Sequence, residues 1–193
     1  PLEATQAESY KAALRAVGLD YLIGRLDEAE QAIHKAIELQ PAAAVYHEQL
    51  AIIQILRGDA AGALAAARQE PPGIWQQDAL ALALQIGPDR TAADAAVKTL
   101  MDKYSDGASY QIAGVHALRR DPDRMFAWLD KAWANRDPGV ANTLYDPLLL
   151  RYQHDPRFAA FCRKVNLPVP GVDVPALPIV PWPAAASTTT HSP

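Results

Sequence analysis

The sequence predicts an all-α fold of stacked antiparallel helix pairs, closed by a short C-terminal capping helix. The first observation behind this is an internal repeat. Gly24-Arg25-Leu26-Asp27-Glu28-Ala29 opens an apolar-periodic run that stops at Pro41, and Gly58-Asp59-Ala60-Ala61-Gly62-Ala63 opens another 34 residues after Gly24. A period of this length marks helix pairs, because one pair cannot bury its own apolar face and must lean on the next. The second observation is a set of four Asp-Pro dipeptides, Asp121-Pro122, Asp137-Pro138, Asp146-Pro147 and Asp155-Pro156. Aspartate caps the free amides of a helix start, and proline in the first turn gives up no hydrogen bond that the helix needs.

The elements follow in order. Residues 3–22 read as a helix, with Tyr10, Leu14, Val17 and Tyr21 at helical spacing. Gly24 ends it, and the next helix carries Ala29, Ile33, Ala36 and Ile37 on one face up to Pro41. The second pair is Ala43–Arg57 with Ala60–Gln69, where Leu50, Ile53, Leu56 and Leu64 form the stripe, and Pro71-Pro72-Gly73 bounds it. The third pairs Ile74–Ile86 with Asp89–Tyr104 about Gly87-Pro88. The fourth pairs Ala108–Leu118 with Pro122–Ala134, where Phe126, Trp128, Leu129 and Trp133 are expected to cluster. Asp155–Val165 reads as the closing helix, with Phe158, Phe161 and Cys162 facing inward.

After Leu167 the composition changes. Residues 168–193 hold seven prolines, Ser187-Thr188-Thr189-Thr190 and one charged side chain, Asp173. Such a segment favours extended polyproline conformations and forms no core of its own. The domain is therefore expected over residues 1–167, followed by a mobile, proline-rich tail over 168–193. The alternative is that Val169 to Trp182 lies along the helices or a neighbouring molecule.

The repeat resembles the tetratricopeptide repeat over residues 8–135. Gly24, Ala29, Ile33, Ala36 and Pro41 stand where that family places its turn glycine, packing residues and terminal proline. Gly58, Ala63 and Ala67 match in the second unit, and Gly87, Ala92 and Ala96 in the third. In the fourth, Arg120 replaces the glycine and Met125 the alanine, while Ala132 is kept. The resemblance implies a tetratricopeptide-type right-handed α-solenoid. The ending, from Asp137-Pro138-Gly139 through Asp146-Pro147-Leu148-Leu149 to Asp155-Pro156-Arg157-Phe158, is similar to the close of repeat arrays in bacterial signalling proteins. In those, the array follows a winged-helix DNA-binding domain, a nucleotide cyclase or a serine/threonine kinase.

Composition narrows the function classes. Net charge is −4, and Lys+Arg against Asp+Glu is 6 to 10 over residues 1–70 but 9 to 6 over residues 119–164. The acidic front repels nucleic acid, and the arginines at 119, 120, 124, 157 and 163 with Lys164 read as a solvated face, so no direct nucleic-acid contact is expected. No apolar run approaches the roughly 20 residues of a membrane helix. The chain opens on Pro1 without a leader or initiator Met, so a longer parent is expected. Cys162 is the only cysteine, which excludes an internal disulfide; it suits the cytosol, the expected compartment, and does not forbid the periplasm for a membrane-anchored parent.

Chemistry is sparse. No two of His34, His47, His116, His154 and His191 stand three or four apart, so no metal site is expected. His116 reads as a packing residue. Phe158 and Phe161 beside Cys162 indicate a small buried side chain, not a nucleophile. No serine elbow, phosphate loop or dinucleotide fingerprint is present, and neither catalysis nor a cofactor is expected.

What remains is a concave surface. Carrying the family's groove positions over by register gives Lys11, Leu14, Val45, Glu48, Ile52, Ile55, Gln77, Leu84 and Tyr110. Of the lysine and asparagine clamp that chaperone-binding members use for a terminal carboxylate, Lys11 alone is present. A mainly apolar groove implies a partner helix or extended peptide. The chain is therefore expected to be a protein-interaction scaffold, the sensing or regulatory module of a larger signalling protein. The rivals are a regulatory segment of a multidomain enzyme or winged-helix regulator, and a self-association module that forms a homodimer.

Overall fold

A computed structural model describes residues 24–181 together with the isolated positions 7, 8, 11 and 20. The helix expected over residues 3–22 lies outside the described residues apart from those four positions. Among the described residues the chain is all-helical, with eight α-helices, three short 3-10 turns and no β-strand. No helix among them is long and apolar enough to cross a membrane.

α1 (Leu26–Leu39) buries Ala29, Ile33 and Ala36 and places Asp27 and Glu28 in its first turn, where the helix dipole favours carboxylates. α2 (Tyr46–Arg57) packs on it, and Arg57 ties the two by pairing with both Asp27 and Glu30. α2 starts later than the expected Ala43, because Val45 takes the left-handed conformation at φ 83°. A branched side chain there costs about 1–2 kcal/mol. What holds it is Glu70, whose two carboxylate oxygens accept from Val45 N at 2.6 Å and Glu48 N at 3.0 Å. Glu70 thus caps α2 from beyond the end of α3 (Ala60–Gln69). Gly58, at φ 80°, closes α2 in the left-handed conformation that glycine adopts without penalty.

α4 (Ile74–Ala83) tightens into a 3-10 turn over Leu84–Ile86. Asp89 then caps α5 (Arg90–Tyr104) by accepting from Ala92 N at 2.9 Å. α6 (Ser109–Leu118) is buried at every position except Gln111. α7 (Pro122–Ala134), capped by Asp121, buries Met125, Phe126, Leu129 and Ala132 against it. Trp133 does not join that cluster as expected. It follows Ala132 on the flank of the buried stripe and is 43% exposed.

The short connections between helices turn the chain back each time. α4 packs against α2, α3, α5 and α6, so α2, α4 and α6 lie side by side in one row. The chain then covers part of that row itself. A 3-10 turn over Pro138–Asn142 brings Gly139 so near the Tyr110 ring that an added Cβ would stand 2.6 Å from its Cγ. A second 3-10 turn, Leu150–Tyr152, lets the Tyr152 hydroxyl donate to Ala117 O at 2.7 Å. α8 (Pro156–Lys164), capped by Asp155, buries Phe158, Phe161 and Cys162. Beyond it, residues 168–181 contain no helix, and Val169 and Val180 are buried against the body.

Candidate functional site

The row formed by α2, α4 and α6 carries most of the expected groove residues, in two different states. Val45 and Ile52 on α2's side, and Gln77 and Leu84 on α4's side, are half-buried. They form the part of the surface that remains accessible. Ile55 is fully buried, and Glu48 and Tyr110 nearly so. Ile55 is therefore a core residue, because its turn of α2 faces neighbouring helices. Tyr110 is not a groove residue either. The closing segment lies over it, and its hydroxyl donates to Asp146 Oδ2 at 3.0 Å. Lys11 is exposed, pairs with Glu8 at 2.8 Å and borders a cleft shared with Gln31 and Lys35 of α1. Leu14 lies outside the described residues.

Beneath the accessible part runs a set of acidic side chains that helical periodicity does not reveal. Glu48 and Asp78 are buried on α2 and α4, and Asp146 reaches the same region from the closing segment. Burial pushes the Glu48 carboxyl well above its ordinary value, with Asp78 and Glu70 adding to the effect. Asp78 is pushed up to about 8, first by burial and then by Asp146. Asp146 also rises through burial, although the Leu148 and Leu149 amides oppose the shift. The same loss of water holds the Tyr110 phenol well above its usual range. At neutral pH Asp78 therefore holds its proton, and burial favours the neutral form of Glu48 as well, which eases repulsion among the three carboxyls.

The arrangement joins the row to the closing segment through polar contacts. Asp146 spends one oxygen on the amides of Leu148 and Leu149 and the other on Tyr110. Asp137 works as Glu70 does on α2. Its oxygens accept from Tyr110 N at 3.0 Å and Gly139 N at 2.9 Å, so a carboxylate beyond α7 caps α6. The Asp-Pro dipeptides pointed to Asp137 and Asp146 as caps. Their second bonds, to Tyr110, had no signal in the sequence.

Several other reactive side chains among the described residues are paired or enclosed. His116 is buried, and burial lowers its affinity for a proton, as it does for His47. A cleft of about 660 Å³ between α5, α6 and α7 is lined by Val97, Met101, Arg119, Arg124 and Trp128. Its arginines are engaged, Arg119 with Asp94 and Gln85, and Arg124 with Asp121. Arg157 pairs with Asp123 and Asp155, and Lys164 with Asp130. Burial raises the Cys162 thiol, which makes the thiolate scarce. Among the described residues no three His, Cys, Asp or Glu side chains gather as metal ligands.

No protein-family model, curated protein or solved structure matches this chain.

Proposed function

We propose that this chain is a tetratricopeptide-type α-solenoid, right-handed and capped by α8, that works as a protein-interaction scaffold and does no chemistry of its own. The observation that carries the reading is the row of α2, α4 and α6, in which Val45, Ile52, Gln77 and Leu84 leave a mostly apolar line half-open to solvent. A line of that kind suits one face of a partner helix or an extended peptide, with binding energy from a few buried anchors. Covering of Tyr110 by the closing segment restricts the line to α2 and α4. In this reading the chain serves as the sensing or scaffolding module of a larger signalling protein, supported by the capped turns at Asp137, Asp146 and Asp155.

A photo-crosslinking residue placed at Ile52 or Leu84 tests this in the native host. The same partner is expected to be captured from both positions, and Ile52→Asp in the Leu84-labelled chain is expected to reduce capture at least about tenfold with helical circular dichroism unchanged. Capture that is indifferent to Ile52→Asp would overturn the reading.

A further inference from the structure

The segment after α8 is held by a built site. Gln153 is only 5% exposed, and both polar atoms of its amide are spent on one residue of the tail. Its Nε2 donates to Leu177 O at 2.7 Å, and its Oε1 accepts from Leu177 N at 2.9 Å. Two residues earlier, Arg151 donates from Nε to Val180 O at 3.1 Å and from Nη2 to Pro181 O at 3.4 Å. All four bonds go to main-chain atoms of the tail. Side-chain recognition comes from Val180, which is buried, and from Leu177, which packs on the same core.

The tail's own sequence fits this site with a period of three. Leu177 and Val180 pack on the body and Val174 is half-buried, whereas Pro175, Pro178 and Pro181 are exposed. Three residues per turn is the repeat of a polyproline helix, whose fixed φ lowers the entropy lost on docking. The prolines act by stiffening the peptide, and the apolar residues by filling the surface. A separate turn delivers the segment: Gly171 N donates to Val174 O at 2.7 Å, and Val169 N to Asp173 Oδ2 at 2.8 Å.

We propose that the face built on Arg151 and Gln153 is a recognition site for extended, proline-spaced peptides with an apolar residue at every third position, and that residues Leu177–Pro181 occupy it as an internal competitor. The site reads backbone and spacing, so a partner segment of the same pattern fits it in place of the tail. Tethering gives the internal segment a high effective concentration, which sets the threshold a partner must exceed. This site is separate from the line on α2 and α4 and does not depend on it.

The test uses the full chain with Leu177→Asp and Val180→Asp, which release the tail, and a fluorescein-labelled peptide of the natural sequence 173–183. Anisotropy is expected to show saturable binding to the released chain. Binding should be at least about tenfold weaker to the unmodified chain, where the tail competes, and to the released chain carrying Gln153→Ala, which loses both amide bonds. No saturable binding to a released chain with unaltered circular dichroism and melting would overturn the proposal, as would indifference to Gln153→Ala. Should the released chain not fold, hydrogen exchange on the unmodified chain decides. Excess peptide is expected to speed exchange of the Leu177 amide, and an unchanged rate counts against the site. Concentration-dependent dimerisation of the unmodified chain, lost in Gln153→Ala, would place a second copy's tail there and overturn the internal arrangement.

Discussion

Asp78 shows how a single side chain couples this fold to pH. Its folded-state pKa is raised to about 8 from an ordinary 3.8, so the folded chain holds a proton that the unfolded chain releases. Stability from this group is full below about pH 4 and is lost as pH rises through about 8, at up to about 1.4 kcal/mol per pH unit. Asp78→Asn keeps the shape and removes the ionisation. In urea denaturation the variant is expected to be more stable than the unmodified chain at about pH 8, with the gap closed by about pH 4. A gap that does not change with pH would contradict the burial argument. Glu70 is buried too, and the two oxygens of its carboxyl group accept from two backbone amides. Glu70→Ala leaves Val45 N and Glu48 N without it, and a loss of about 2 kcal/mol is expected from the same denaturation experiment. A loss under about 0.5 kcal/mol, the range of ordinary surface changes, would mean that water replaces the carboxylate at no cost.

At the scale of the element, helix boundaries were the most legible feature of the sequence. Asp121, Asp137, Asp146 and Asp155 each accept from a backbone amide one or two residues beyond their proline, as local capping chemistry requires. Asp121 and Asp155 open α7 and α8 and Asp137 a 3-10 turn, whereas Asp146 opens a turn and not a helix. Gly58 closes α2 for an equally local reason. What could not be read was any contact spanning a helix. Glu70 caps α2 from 25 residues away and Asp137 caps α6 from 27, and no periodic pattern records such a distance. Val45 therefore shifted the start of α2, and Trp133 faced solvent despite its apolar bulk. The close approach of Gly139 to Tyr110 was equally hidden. Gly139→Ala must push the turn off the ring because the clash is with Cγ, Cδ1 and Cβ near the ring's root. A destabilisation of about 1–3 kcal/mol is expected, read as a lower urea midpoint together with increased quenching of Tyr110 fluorescence. An unchanged midpoint would show that the closing segment is not held there.

For the whole molecule, the repeat of 34 residues was visible because small and apolar residues recur at helical spacing, and it gave the all-helical character. The candidate surface was legible only in part. Register alone put Ile55 and Tyr110 on it, since register does not say that a neighbouring helix fills one and the chain's own ending covers the other. The accessible remainder, Val45, Ile52, Gln77 and Leu84, depends on α2 and α4 lying side by side. Everything proposed for the surface rests on that adjacency. Methyl-labelled NMR tests it most directly. Nuclear Overhauser effects joining the Ile and Leu methyls of α2 to those of α4, and those of α4 to those of α6, are expected throughout. Their absence, with α3 found in contact with α7 instead, would contradict the row and the binding line with it.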